Sequence, residues 1–248
     1  MKKLFGLVLL VALLSLMFHV PAYAGKIVVA NDEWTLSYAG FSNASGTGTF
    51  ATNVGKWFAG GTAGNFLVYS NNFGLAGTDL ANAMTGAGNS WTVSMAGPFN
   101  LTTLSAYDGV FLAGNPADNT VLINYVNAGG NVYLAGGTGW GGSVAEAAQW
   151  NTFLNYFGLN FVGSYNGVGS IAITSTHPIF DGVGYLFQDN GNDITKLSGT
   201  FPNTDILVTS GGHGLYATYA APVPLPPAAW LFGPGLLGLA AIRRRFQK

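Results

Sequence analysis

Apolar residues between positions 25 and 221 follow two periods that alternate along the chain. The run at 26–30 (KIVVA) predicts a strand, and the segment 50–59 places Phe50, Val54 and Trp57 at helical spacing. Further strands are predicted at 66–70, 91–95, 107–113 and 131–135, and further helices at 78–84, 119–128 and 146–157. Strands and helices in turn indicate a parallel sheet with helices on both faces.

Two of the predicted strands, 107–113 and 131–135, are apolar at most positions. Such runs are typical of strands that are buried on both faces of a parallel sheet. We therefore expect an α/β domain with five or more parallel strands. The pair Gly129-Gly130 is expected to end the helix that precedes the strand at 131–135. The core is predicted to include six residues: Val28, Val68, Val110, Leu112, Val132 and Leu134.

The first 24 residues have a composition of their own. Lys2 and Lys3 precede an apolar run at 4–20, and the sequence AYA follows at 22–24. A positive start, an apolar middle and a small-residue site are typical of a secretory signal peptide. We expect residues 1–24 to be removed after export. The alternative is an N-terminal membrane anchor, because the apolar run approaches the length that spans a bilayer.

The last 27 residues, 222–248, combine three features in a fixed order. A proline-rich motif precedes an apolar stretch at 228–242, and a cluster of arginines follows directly. The stretch is short for a helix that must cross a hydrocarbon core of about 30 Å, and the arginines favour a cytoplasmic end. This order resembles the PEP-CTERM sorting signal of Gram-negative bacteria, with Leu225 where that family has Glu. The residues that carry the resemblance are Val223, Pro224, Pro226, Arg243, Arg244 and Arg245.

The resemblance implies a route out of the cell. In that family an exosortase-type membrane enzyme recognises the tail and removes it, after a period in which the protein is anchored in the inner membrane. Signal peptidase and such a sorting enzyme are therefore the expected partners. The outer envelope, the cell surface or the extracellular matrix is the expected destination, and the family's link to exopolysaccharide and biofilm suggests what the protein meets there. A permanent C-terminal anchor is the alternative.

Charge and cysteine usage narrow the function of the region 25–221. It holds three cations, Lys26, Lys56 and Lys196, against ten carboxylates, which gives a formal net charge of −7. Binding to nucleic acid relies on neutralising phosphates, so this class of partner is disfavoured. The chain has no cysteine, so it has no disulfide, thiolate metal site or cysteine nucleophile.

A second resemblance covers most of the domain 25–221. The segment 104–139, LSAYDGVFLAGNPADNTVLINYVNAGGNVYLAGGTG, resembles the centre of the class I glutamine amidotransferase-like fold, especially its ThuA-like branch. The later segment 176–183, THPIFDGV, is similar to the "HPI-x-x-G" stretch of ThuA-like domains. The resemblance implies a flavodoxin-like parallel sheet with helices on both faces.

The amidotransferase activity does not follow from this resemblance. Those enzymes carry a cysteine in the turn after the buried strand, and its thiolate attacks the amide carbon. The corresponding turn at 136–142 reads GGTGWGG, so glutaminase activity is excluded. Its glycines either serve a tight reversal of the chain or expose N–H groups that hold an anion or a sugar hydroxyl.

Few other residues offer catalytic chemistry. A Ser/His/Asp relay would need His177 or His213 beside Ser143 or Ser210, with an acid such as Asp181. His177 precedes a proline and is expected to cap a turn, whereas His213 is placed in a glycine-rich loop. No catalytic residue is assigned on this pattern.

Two acidic stretches, 189–193 and Asp32-Glu33, are the candidates for metal or ligand binding. A calcium loop that begins at Asp189 (DNGND, 189–193) would lack ligands at its third position, Gly191, and its twelfth, Thr200. An Asx-rich turn is therefore favoured. Asp32 and Glu33 follow the first strand, at the sheet edge where parallel α/β folds bind ligands. We expect no metal or cofactor. The candidate ligand-binding residues are Asp32, Glu33, Gly137, Thr138, Trp140 and His213.

Two functions stay open. The first is a non-catalytic envelope or matrix protein associated with exopolysaccharide. The second is an extracellular hydrolase or carbohydrate-active enzyme that uses Asp32, Glu33 or His213 as acid or base. Sparse titratable groups and the missing nucleophile favour the first.

Overall fold

The structure is a computed structural model that describes residues 25–137 and 141–222. Its strands are β1 (Lys26–Ala30), β2 (Asn65–Val68), β3 (Ser90–Val93), β4 (Gly109–Ala113), β5 (Asn131–Ala135), β6 (Leu159–Asn166), β7 (Gly169–Ala172), β8 (Tyr185–Gln188), β9 (Gly191–Lys196), β10 (Thr204–Ser210) and β11 (His213–Ala220). Its helices are α1 (Tyr38–Asn43), α2 (Thr47–Phe58), α3 (Thr78–Gly86), α4 (Leu101–Leu104), α5 (Asn119–Asn127) and α6 (Ser143–Tyr156). Short 3-10 turns lie at Glu33–Leu36 and Pro178–Phe180.

A mostly parallel sheet forms the centre of this mixed α/β domain. Within the described residues it has seven strands in the order β10-β11-β1-β5-β4-β2-β3. β1 to β5 are mutually parallel, whereas β11 runs antiparallel to β1 and β10 antiparallel to β11. Two further antiparallel pairs, β6 with β9 and β7 with β8, lie outside this sheet. The five parallel strands confirm the prediction, but β6 to β11 were not predicted.

Helices cover both faces of the sheet. In β1, Val28 and Ala30 belong to one apolar cluster, which also contains residues of α2 and α3. Ile27 and Val29 point the other way, into a second cluster with residues of α4, α5 and α6. The six predicted core residues are all fully buried, as predicted.

Local sequence signals set the ends of the elements. The Asp118 carboxylate accepts the Thr120 and Val121 N–H groups at the start of α5. Gly129 then takes a φ of 98°, and the Gly130 N–H donates to the Tyr125 oxygen, as the predicted C-cap requires. β1 and β5 have the predicted bounds, and the other predicted elements shift by up to three residues at either end.

The two ends of the domain meet at the edge of the sheet where β1 begins. Lys26 is the register partner of Ala220, and the Ala221 N–H donates to the Gly25 oxygen. Residues 25–137 and 141–221 belong to one compact unit, so the domain has its own core.

No helix within 25–137 or 141–222 has the length and apolar character to cross a membrane. The predicted signal peptide, the proline-rich motif, the tail helix at 228–242 and its arginines lie outside the described residues.

Candidate functional site

The carboxyl ends of β1 and β5 bring together residues that are far apart in sequence. Ala30 and Ala135 are register partners in these neighbouring parallel strands. The Gly136 N–H donates to the Ala30 oxygen, and the Glu33 N–H donates to the Gly136 oxygen, both at 2.9 Å. Asp32, Glu33 and Gly137 therefore lie at one edge of the sheet, as predicted for a ligand-binding edge.

Asp32 fastens a distant loop to the end of β1. Its Oδ1 accepts the Trp34 N–H at 2.9 Å, and its Oδ2 accepts the N–H groups of Asp189 and Asn190. The side chain is fully buried. Burial raises the pKa of Asp32 to about 7, although the three backbone donors lower it. Asp32 thus connects β1 to the link between β8 and β9.

Glu33 and Glu146 form the acidic centre of this edge. Glu146 lies in the first turn of α6, and the two side chains are 2% and 1% exposed. The Glu33 carboxylate lies against Gly137, where an added Cβ would approach Glu33 Oε2 to 1.8 Å. Gly137 also has a φ of 122°, which only glycine adopts readily. This glycine is thus required by the carboxylate beside it.

Glu146 carries its proton at neutral pH. Burial is the main reason that its pKa rises to about 9, and the nearby charge of Glu33 raises it further. The Gly137 N–H and the Asn192 amide, whose Nδ2 lies 3.5 Å from Glu146 Oε2, act in the opposite direction. Sequence reasoning missed Glu146, whose only local signal is its place just after a glycine-rich turn.

A chain of polar side chains connects the surface to this edge. His213 Nδ1 lies 2.7 Å from Asp193 Oδ2, and the His213 side chain is 40% exposed. The Asn166 amide donates to the other Asp193 oxygen, and Asn31 Nδ2 donates to Asn166 Oδ1 at 3.3 Å. His213 is the first residue of β11 and not part of a loop, which corrects the prediction.

The structure does not assemble the Ser/His/Asp relay that was considered. Ser210 is the register partner of His213 in β10 and β11, but no hydrogen bond among the described residues joins their side chains. Ser143 Oγ donates to the Gly163 oxygen, and His213 has Asp193 as its acidic partner instead of Asp181. His177 caps the 3-10 turn that follows it, with its Nδ1 3.4 Å from the Ile179 nitrogen, which confirms that prediction.

Three buried polar atoms at this edge have no hydrogen-bond partner within the described ranges: Asn31 Oδ1, Trp34 Nε1 and Glu146 Oε1. A buried polar group that stays unpaired costs about 1–3 kcal/mol. The described residues hold four further atoms of this kind, in Trp91, Tyr133 and Gln188, so unpaired groups are not confined to this edge.

The other positions predicted for ligand or metal binding are Thr138, Trp140 and the stretch 189–193. Thr138 and Trp140 lie outside the described residues. The stretch 189–193 forms the connection into β9 that Asp32 holds. Within the described ranges, no group of three or more His, Cys, Asp or Glu side chains is placed to hold a metal ion.

Comparison with protein-family models, curated proteins and solved structures found no match to this chain. Its function therefore has to be argued from the chemistry of its own residues.

Proposed function

We propose that the chain is an exported protein of the bacterial envelope or extracellular matrix whose domain 25–221 binds exopolysaccharide without catalysing its conversion. The burial of Asp32, Glu33 and Glu146 carries this proposal, because these side chains are at most 2% exposed. A general acid or base must come within hydrogen-bond reach of its substrate. Carboxyl groups that face other protein groups are better suited to holding the edge together.

The turns after β2 and β4 support a role in binding hydroxyl-rich ligands. Ser70 Oγ lies 3.0 Å from Asn115 Oδ1, which also accepts the Asn71 N–H. The strand order reverses between β2 and β4, and parallel α/β folds bind ligands at such points. The Asn71 side chain is exposed and Asn115 is half-buried, and such amide groups are suited to hydrogen bonds with sugars. The Ser70 hydroxyl is buried and donates to the Ala113 oxygen, so it positions this turn.

Aromatic rings flank the same edge. Phe73 is 47% exposed and packs edge-on against Trp34 at 4.8 Å, and Tyr165 is 45% exposed. Exposed rings offer apolar faces to sugar rings while nearby polar groups bind the hydroxyls. The carboxyl groups of Asp32, Glu33 and Glu146 are buried, and the aromatic and amide groups around them favour a carbohydrate ligand.

We also propose that this mixed α/β domain has a flavodoxin-like fold. Flavodoxin-like sheets have the strand order 2-1-3-4-5. Starting from its β3 side, this sheet runs β3-β2-β4-β5-β1, so β2, β3, β4 and β5 take the places of flavodoxin strands 1, 2, 3 and 4. This arrangement, with helices on both faces, supports a flavodoxin-like relative of the class I glutamine amidotransferase-like domains. The position of β1 beside β5 is its departure from that order.

The test is to incubate the purified domain with host exopolysaccharide and a panel of oligosaccharides and esters, and to follow retention and product release together. We expect retention without products. Steady product formation that Glu33→Gln or His213→Ala abolishes would reject the non-catalytic proposal.

That outcome would favour an extracellular hydrolase or carbohydrate-active enzyme, the second candidate. One observation speaks for it: Glu146 is protonated at neutral pH, the charge of Glu33 acts on it, and its Oε1 has no hydrogen-bond partner among the residues that the structure describes. A protonated carboxyl beside a second acid is the pairing that glycosidases use. Product release that requires both Glu33 and Glu146 would separate this activity from a contaminating enzyme.

A further inference from the structure

A cleft of about 750 Å³ opens at the other edge of the sheet, where β1 begins and α2 ends. Lys26 lies on one side, the last turn of α2 with Lys56 and Trp57 on another, and the loop 175–182 completes it. Small-molecule sites have volumes of about 300–1,000 Å³, so the cleft has room for one or two sugar units.

The cleft concentrates the positive charge of an acidic domain. Two of the three lysines between 25 and 221, Lys26 and Lys56, line it, and Asp181 is the carboxylate in its lining. Among the described residues, no carboxylate oxygen lies within 4.0 Å of the Lys26 or Lys56 ammonium group; the ion pair found there joins His213 to Asp193. The cleft thus has an excess of cations on a domain whose formal net charge is −7.

Lys26 is held in place by Trp57. Its Nζ donates to the Trp57 carbonyl oxygen and lies 5.0 Å from the centroid of the Trp57 ring. Burial lowers the pKa of Lys26, because an ammonium group loses hydration there. An anion in the cleft would restore a favourable partner to this charge.

Other features suit a sugar that carries an acidic group. Ser175 and Thr176 line the cleft and offer hydroxyl groups. Gly60 and Gly61, both with positive φ, form part of its lining, and an added Cβ at either position would meet no atom within 4 Å. The cleft is therefore open at this side, and a chain-like ligand can enter and leave it.

We propose that this cleft binds an acidic sugar unit, through a carboxylate or sulfate group held by Lys26 and Lys56. That the sugar belongs to an extracellular polysaccharide rests on the proposed function, whereas the anion site does not. The same oxyanion chemistry occurs in uronate units and in sulfate esters, so the probes must include both.

The experiment is calorimetric titration of the domain with oligogalacturonate, short dextran sulfate and neutral dextran. We expect the two anionic probes to bind and neutral dextran to bind much more weakly at this cleft. Salt at about 0.5 M should weaken the anionic probes severalfold, because ions screen exposed charges.

Single substitutions identify the site. Lys56→Met should weaken binding of the anionic probes about tenfold, since a charge-assisted hydrogen bond contributes roughly that much. Asp181→Asn should tighten binding, because it removes the carboxylate from the lining. Lys196→Met makes the same charge change outside the lining of the cleft and should leave binding unaltered. Lys56 is exposed, so its loss leaves the fold intact, and Lys26→Met provides a second variant.

Several outcomes would overturn this site. If both lysine variants lose stability but keep full affinity, the lysines only stabilise the carbonyl end of α2. Binding to phosphatidylglycerol vesicles without binding to either anionic probe would identify a membrane surface instead.

The two proposals fail in different ways. Retention of host exopolysaccharide that is unchanged by Lys56→Met leaves the proposed function standing and rejects the cleft as the site that holds this polysaccharide. Lysine-dependent binding of oligogalacturonate by a domain that does not retain host exopolysaccharide supports the anion site and rejects the proposed function.

Discussion

The protonated state of Glu146 is the most testable property of a single residue. Its pKa of about 9 in the folded domain exceeds the ordinary value of 4.5. Between these values the folded state holds a proton that the unfolded chain has released. Stability must therefore fall as pH rises, by up to about 1.4 kcal/mol per pH unit for this group.

We predict that Glu146→Gln flattens this dependence. Asp32 contributes in the same direction up to its own pKa of about 7, so the interval from pH 7 to 9 isolates Glu146. Gln resembles the protonated acid and has no proton to lose, so the variant should exceed the wild type in stability at pH 9. Urea unfolding at several pH values measures this difference. Equal slopes for the two proteins would show that Glu146 is ionised in the folded state.

The sequence predicted some of the residues at the carboxyl ends of β1 and β5 and missed others. Asp32, Glu33 and Gly137 were predicted from their places after strands, because the topology of a parallel sheet brings such positions to one edge. Glu146 was missed because its burial and its pKa depend on the tertiary fold, which brings it near Glu33, more than a hundred positions away in the sequence. The Asp193 and Asn166 partners were missed for the same reason.

At the scale of elements, Asp32 acts between two segments of chain. It caps the 3-10 turn Glu33–Leu36 and accepts N–H groups from 189–190. We predict that Asp32→Ala loosens β8 and β9, because the N–H groups of Asp189 and Asn190 lose the acceptor that holds this connection to β1. Hydrogen exchange should rise across 185–196 and stay unchanged in β4 and β5.

A matched control is Asp118→Ala, which removes a cap at the start of α5 instead. It should cost about 1 kcal/mol of stability without faster exchange at 185–196. Uniformly faster exchange in the Asp32 variant would mean that this carboxylate supports the whole domain and not one connection.

The elements themselves were predictable to different degrees. β1 and β5 are short, mostly apolar runs that are buried except at Lys26, and the pattern alone predicted their bounds. β9 (GNDITK) and β7 (GSIA) have few apolar residues and alternate weakly. Their pairing partners lie 13 or more residues away, so local sequence contains little of the information that defines them.

At the scale of the whole molecule, processing is the direct test of the proposed route. We predict that the protein in the surface fraction of its host begins at Gly25 and lacks the arginines at 243–245. Mass spectrometry of the intact protein measures both ends. Replacing Arg243, Arg244 and Arg245 by Gln should leave the N-terminus unchanged and retard removal of the tail. An intact C-terminus at the surface would contradict exosortase-type removal.

The hydrogen bond between Ala221 and Gly25 holds the two ends of the domain side by side, so a force that pulls these ends apart would meet this point first. β1 and β11 are antiparallel neighbours, and a force that separates the domain's two ends acts first on the Lys26 and Ala220 pair. The residue pairs between β1 and β11 would separate one after another, because the force is perpendicular to the strands. A polymer bound at Lys26 and Lys56 and a tether beyond residue 221 would place tension across this pair of strands and on the last turn of α2. The strands from β5 to β3 would lie outside the load path.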